Sequence, residues 1–403
     1  MMSEYRVERQ KNYDESGVNL AEFGFLFDPF HHLEASSDPH LFEYLIDDNL
    51  PRTMWLPGTT VLFSPRGGGK TALRMYMTRE FWSRFDSHPF PIHLFPQPND
   101  LTDASPDGIW RPLLRGLSKA IVIALCYRPV RFLNAPQREW DQMLRLLVPH
   151  LPRALTHYVK MLGHYRETGS VSQTLERVRN ALDRSYRIPA PPEAGTCAEM
   201  LRRLELSALN IEPMRREVGD WHRSVIELTS LLSDIFRFQE FAVLIDGVDA
   251  YPQSVAPLNR AGEWLLDALQ QMNRTEGATI HVKCFVPHLL RLYVEPHIRP
   301  SDAQVNLESL NWSNDDLVRL LRARIRIATG GRYDSLDALS SPGISAVEEQ
   351  IAATVQPLPR EALYLAGQLL HSYLSRSAAL SSLIEPEDLT NVVVPYQRVQ
   401  RVS

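Results

Sequence analysis

The chain has 403 residues, 44% of them hydrophobic and 23% charged, the balance of a globular protein with room for two or three structural units. No apolar run approaches the roughly 20 residues of a membrane span, residues 1–17 lack the apolar core of a signal peptide, and three scattered cysteines (Cys126, Cys197, Cys284) form no metal or disulfide pattern, so a cytoplasmic location is expected. The net charge of −5 hides a contrast: residues 111–187 carry 14 Lys/Arg against 5 Asp/Glu, a net of +9, and the remainder is −14.

Residues 1–50 read as a lead-in, polar and weakly ordered through 1–20. A dense aromatic run follows at Phe23, Phe25, Phe27 and Phe30, with a helical stretch near 41–46. These aromatics fit either a core or a wall against which a nucleotide base packs. Val61, Leu62 and Phe63 are short, apolar and β-leaning, as a buried parallel strand is. Ser64, Pro65, Arg66, Gly67, Gly68, Gly69, Lys70 and Thr71 come next, and then helical periodicity through Leu73, Met77 and Phe81.

Strand, glycine loop and helix start in that order make a phosphate cradle. Glycines let backbone N–H groups turn toward an anion, and the helix N-terminus adds partial positive charge. The pattern G-x-x-x-x-G-K-[ST] is met except at its first glycine, where Ser64 stands. Lys70 is expected to reach the β- and γ-phosphates of ATP, and the Thr71 hydroxyl to ligate Mg²⁺. The bland alternative is a glycine-rich turn that binds nothing.

A second strand is expected over 91–95, closed by Pro96 and Pro98. From about 107 to 236 the pattern is helical, over 110–125, 140–147, 155–162, 171–186, 199–209 and 221–235, with breaks at Pro129, Pro136, Pro152 and 189–192. This insertion holds the whole basic excess, which suits either a nucleic-acid or acidic-partner surface, or arginine-rich solvated helix faces. Its aromatics Tyr127, Trp140, Tyr158, Tyr165 and Tyr186 fit stacking on unpaired bases, or burial at helical spacing.

Strands return at 241–246, 278–286 and 305–307, separated by a helix over 258–272. Strands alternating with helices mean a parallel sheet covered on both faces. Ser313 to Asp316 is a capping-box start, with Asp in the fourth position, for a helix ending near Gly330. Helices over 344–354 and 360–374 follow, and 392–403 reads as a frayed tail.

Asp246 closes a strand and is expected to hold the Mg²⁺ shell, while Asp249 either polarises the attacking water or caps a turn. The loop 64–71 paired with Ile245-Asp246-Gly247-Val248-Asp249 resembles the STAND and origin-recognition-type branch of AAA+-related ATPases. Ala250 stands where that second motif carries Glu. Leu358-Pro359-Arg360, opening a helix, resembles the Pro-Arg of the family's helical lid, which makes Arg360 a γ-phosphate sensor by resemblance. The same resemblance nominates Lys283 or His288 as a polar sensor, and Arg291 or Arg299 as a finger acting on a neighbour's nucleotide. No Asn-Lys-x-Asp guanine reader and no Leu-Ser-Gly-Gly-Gln transporter signature is present, so ATP is the default nucleotide.

The expected architecture is α/β: a parallel P-loop NTPase sheet from 51–104 and 236–312, a basic helical insertion at 105–235, and a C-terminal helical lid and tail at 313–403. The expected function is a Mg²⁺-dependent, ATP-hydrolysing switch or assembly factor acting on a protein partner or on copies of itself. The alternatives are a non-hydrolysing ATP-binding scaffold, favoured by Ala250, and a DNA-acting ATPase reading nucleic acid through 111–187.

Overall fold

In the computed structural model, the described residues run from 20 to 400 apart from 47–49, 85–88, 103–107, 169, 183–194, 212–219, 253, 274–278, 299–304 and 377–382. The sheet consists of β1 (Thr59–Ser64), β2 (Phe90–Leu94), β3 (Glu240–Ile245), β4 (Thr279–Pro287) and β5 (Val305–Ser309). Every pairing is parallel, in the order β2-β3-β4-β1-β5. Val61 lies between Cys284 and Leu307, and Val243 between Ile92 and Val282. β1 and β2 are buried at every residue, which is why their sequences run apolar without alternation. Cys284, free and buried inside β4, has its thiol pKa pushed up by desolvation.

The topology reverses at one place. After β1 the chain travels to the far edge at β2; β3 and β4 then step back, and β4 passes over to β5. The crossovers leaving β1 and β4 therefore run in opposite directions between neighbouring strands. Such a switch point, at the carboxyl ends of the strands, is where open α/β sheets place their ligands.

Between β1 and β2 runs α1 (Lys70–Ser83). Between β2 and β3 lie α2 (Pro98–Thr102), α3 (Trp110–Tyr127), α4 (Pro129–Leu133), α5 (Gln137–Leu147), α6 (Leu155–Thr168), α7 (Val171–Leu182), α8 (Gly195–Ile211) and α9 (Trp221–Asp234). α10 (Leu258–Met272) precedes β4, and α11 (Arg291–Val294) precedes β5. The C-terminal helices are α12 (Asn314–Ala328), α13 (Val347–Thr354), α14 (Pro359–Arg376) and α15 (Pro386–Gln400).

Backbone contacts divide the chain into two compact units: Leu50–Ser64 with Leu73–Ser309, and Met1–Asn49 with Pro65–Ala72 and Leu310–Ser403. In the sheet unit, the inserted helices share one apolar core with the strands. Gly116 allows α3 to press onto β2, since a Cβ there would sit 2.1 Å from the His93 carbonyl oxygen.

Three of the five expected base-stacking aromatics are in that core. Trp140 and Tyr158 are fully buried and Tyr127 nearly so, because helical spacing turns them inward; Tyr186 and the Tyr165 side chain lie outside the described residues. Several inserted arginines are also engaged internally. Arg111 lies over Trp221 at 5.3 Å, Arg131 over Phe238 at 5.0 Å and Arg203 over Trp140 at 4.6 Å, while Arg203 also donates to the Phe132 carbonyl at 3.0 Å. Among the described residues, no helix is long and apolar enough to cross a membrane.

The second unit joins the aromatic run to α12–α15. Phe23, Phe25 and Phe30 are buried, with Phe23 edge-on to Tyr373 and Phe25 tilted against Tyr333. Arg324 of α12 reaches the Pro29 carbonyl and the Asp38 carboxylate, both at 2.8 Å. The run is core, as one of its two sequence readings has it. The capping box at Ser313 forms as expected, with both reciprocal hydrogen bonds present. The expected frayed tail is corrected: α15 continues through Gln400, past Pro395, with Leu389 buried and the Tyr396 hydroxyl bonded to Glu361. Residues 1–19 and 401–403 fall outside the described residues.

His150, buried beside Trp221, supplies a pH test of the helical core. Desolvation, with the Arg115 charge behind it, lowers the imidazole pKa from 6.5 to about 4. The unfolded chain binds a proton below pH 6.5 that the folded imidazole refuses, so stability falls as pH drops from 6.5 toward 4. Urea unfolding at pH 7 and pH 5 should show His150→Phe losing about 2 kcal/mol less than wild type over that interval. Equal losses would show that His150 does not titrate in this way.

Candidate phosphate-binding site

The loop 65–72 is built from within its own unit. Gly68 N–H donates to the Pro65 carbonyl at 3.1 Å, and the Lys70 ammonium turns back onto the same oxygen at 3.1 Å. Gly67 and Gly69 have φ of +84° and +91°, backbone that a side chain would strain. Lys70 opens α1 directly after them, buried with 8% of its surface exposed, and Thr71 beside it is half-buried. Pro65 and Arg66 are exposed, while Ser64, the last residue of β1, is fully buried. Ser64 stands where the pattern has glycine, and its extended strand position needs no positive φ.

Two groups from the C-terminal helices hold this loop by its carbonyls. Arg360 donates its backbone N–H to Gly67 O at 3.3 Å, and the Trp312 indole N–H donates to Gly68 O at 2.9 Å. The Arg360 guanidinium, expected as a sensor, is directed instead to Glu34 Oε1 at 2.7 Å. Trp312 was not legible as a site residue. The only signal for it is an aromatic placed immediately before a capping box.

In the sheet unit, the carboxylate expected to serve Mg²⁺ has a cationic partner. Asp246 leaves the carboxyl end of β3, where its Oδ2 accepts from Arg74 Nε at 2.9 Å and its Oδ1 from Gly247 N–H at 2.8 Å. Both side chains are buried. Arg74 Nη1 lies 3.1 Å from His93 Nδ1, and Thr78 Oγ1 2.6 Å from His93 Nε2. The Thr78 hydroxyl also donates to the Arg74 carbonyl at 2.8 Å, and Arg74 Nη1 lies 3.3 Å from His93 Nε2. Arg74 Nη2 is buried without a partner among the described residues, and the guanidinium lies over Phe95 at 4.8 Å. Sequence reasoning passed over Arg74, which reads as an ordinary polar residue four positions after Lys70.

The remaining candidates fall in different surroundings. Asp249 is half-buried in the turn 247–250, which Ala250 N–H closes onto Gly247 O at 3.1 Å. Lys283 is corrected: it lies in the middle of β4, not at its end, and its ammonium holds the Leu56 carbonyl at 2.7 Å, the Thr53 carbonyl at 3.2 Å and Thr60 Oγ1 at 3.1 Å. Burial lowers its pKa to about 8. Its role is to tie the segment before β1 to the sheet. His288 is exposed just after β4. Arg291 is held at 2.8 Å by both Glu295 and Ser309 of its own chain, an intramolecular engagement unlike that of a free finger. Arg299 lies outside the described residues.

In the loop's own unit Thr71 offers a hydroxyl, and in the sheet unit Asp246 offers a carboxylate; each is a hard oxygen donor of the kind Mg²⁺ takes, so the chemistry of each suits that ion. Among the described residues, no group of three or more His, Cys, Asp or Glu forms a metal cage.

Arg74→Leu leaves Asp246 buried without its counter-charge, which should destabilise the protein by about 3–5 kcal/mol in urea unfolding. A loss under about 1 kcal/mol would show that water replaces the guanidinium freely. Comparison with protein-family models, with curated proteins and with solved structures finds no match to this chain, so its functional reading rests on its own residues.

Proposed function

We propose that this chain is an ATP-binding protein of the P-loop type, working as a switch or assembly factor on a partner macromolecule and reset by Mg²⁺-dependent hydrolysis. The observation that carries the reading is local. A buried parallel strand ends at the sheet's switch point, and a glycine loop with two positive-φ residues leads from it into a helix that starts at Lys70.

In this reading the loop from Ser64 to Gly69 cradles the phosphates with backbone N–H groups. Lys70 leaves the Pro65 carbonyl for the β- and γ-phosphates, a short swing of a flexible side chain. Thr71 and Asp246 are the residues that would hold Mg²⁺, which would supply neutralisation of phosphate charge. Asp249 orients the attacking water and takes its proton. Arg360 trades Glu34 for the γ-phosphate, since both partners of that ion pair are solvent-accessible and hold one another weakly.

A second reading has a specific observation behind it. Asp246 already neutralises Arg74, and Ala250 provides no carboxylate beside Asp249, so a scaffold that binds ATP without turnover is the alternative. A DNA-acting ATPase is less favoured, because three of the five aromatics expected to stack on bases, Tyr127, Trp140 and Tyr158, are buried.

The test uses a fluorescent ATP analogue with Mg²⁺. Lys70→Ala should weaken binding by about 10- to 100-fold, the loss of one charge-assisted contact to phosphate. Asp249→Asn should bind as wild type and release no phosphate. Unchanged affinity in Lys70→Ala would overturn the proposal, and a wild type that binds without turnover would leave the scaffold reading in its place.

A further inference from the structure

The glycine loop is anchored from outside through its carbonyl oxygens, and that has a consequence for its N–H groups. In a trans peptide the C=O and the following N–H point in opposite directions, so whatever fixes one fixes the other. The Trp312 indole N–H holds Gly68 O at 2.9 Å and thereby sets the direction of the Gly69 N–H. Arg360 N–H holds Gly67 O at 3.3 Å and sets the Gly68 N–H, which closes the turn onto Pro65 O at 3.1 Å. The Trp312 ring also covers Gly69, with Cζ2 3.5 Å from where a Cβ would stand. Without such an anchor, the peptide between two glycines rotates at little cost.

The anchor is itself rigidly mounted. Trp312 directly precedes Ser313, whose capping box fixes the backbone: Asp316 N–H donates to Ser313 Oγ at 3.1 Å, and Ser313 N–H donates to Asp316 Oδ2 at 3.0 Å. Indole has one N–H donor, no acceptor and only two side-chain torsions, so it holds one carbonyl in one direction at small entropic cost.

We propose that Trp312 is a positioning residue for phosphate: its hydrogen bond to Gly68 O presents the Gly69 N–H to the nucleotide before the nucleotide arrives. This rests on the phosphate-binding reading given above. It assigns the start of the C-terminal helices a task in ligand affinity that is separate from the Arg360 guanidinium. Loss of the indole N–H removes the preset orientation, and the ligand must then select it from a mixture.

The experiment titrates 2′/3′-N-methylanthraniloyl-ATP with Mg²⁺ against full-length wild type, Lys70→Ala, Trp312→Phe and Trp312→His. Trp312→Phe keeps an aromatic ring and lacks the donor; it should bind about 5- to 10-fold more weakly, the loss expected for one hydrogen bond, with its urea midpoint near that of wild type. Trp312→His, which retains a ring N–H, should recover part of that loss. In ¹⁵N-indole-labelled wild type, the Trp312 resonance, identified by its absence from a Trp312 variant, should shift on adding ATP and stay fixed in Lys70→Ala.

Wild-type affinity in Trp312→Phe, alongside weak binding by Lys70→Ala, would overturn the positioning role and leave the phosphate site standing. Equal binding by wild type and Lys70→Ala would remove both. Should Trp312→Phe fail to fold, the indole resonance decides: no shift with ATP in the wild type overturns the proposal.

Discussion

Strands buried along their whole length, as β1 and β2 are, meet solvent only at their ends, and this constraint organises the chain. β1 and β2 are buried at every residue, so neither can carry solvent-facing chemistry along its length. Polar groups at the carboxyl edge, such as Ser64 and Asp246, are where the backbone leaves the ladder and side chains gain new partners. The reversal of crossover direction between β1 and β4 then selects one edge position over the others. The glycine loop leaves the sheet from β1, one side of that position.

The sheet was largely legible because its strands announce themselves. Val61 to Phe63 and Phe241 to Ile245 are continuous apolar runs bounded by turn-forming residues, and burial on both faces demands that composition. The capping box at Ser313 was equally readable, since its two polar side chains satisfy helix-end backbone groups at fixed spacing. The glycine loop was readable as a motif because positive φ at Gly67 and Gly69 requires that residue type.

What escaped the sequence was pairing across long separations. Arg74 looks like any helical arginine until the fold brings Asp246 and His93 to it. Trp312 bonds a backbone carbonyl, and carbonyls leave no mark in the sequence. Lys283 was misplaced because a lysine in an apolar strand reads as its end; here the carbonyls of Thr53 and Leu56 let it stay buried mid-strand. α15 was missed because Pro395 and a run of valines argue against a helix that buried contacts nonetheless hold. The basic excess over 111–187 was legible as composition only. Which arginines lie on aromatic rings and which face water depends on packing that charge counting does not see.

Hydrogen–deuterium exchange with and without Mg²⁺–ATP reads directly the backbone N–H groups proposed to hold the nucleotide. ATP should slow exchange over 66–71, with a smaller effect from ADP and none from adenosine. Unchanged exchange over 66–71, or protection by ATP confined to another part of the chain, would contradict the proposal.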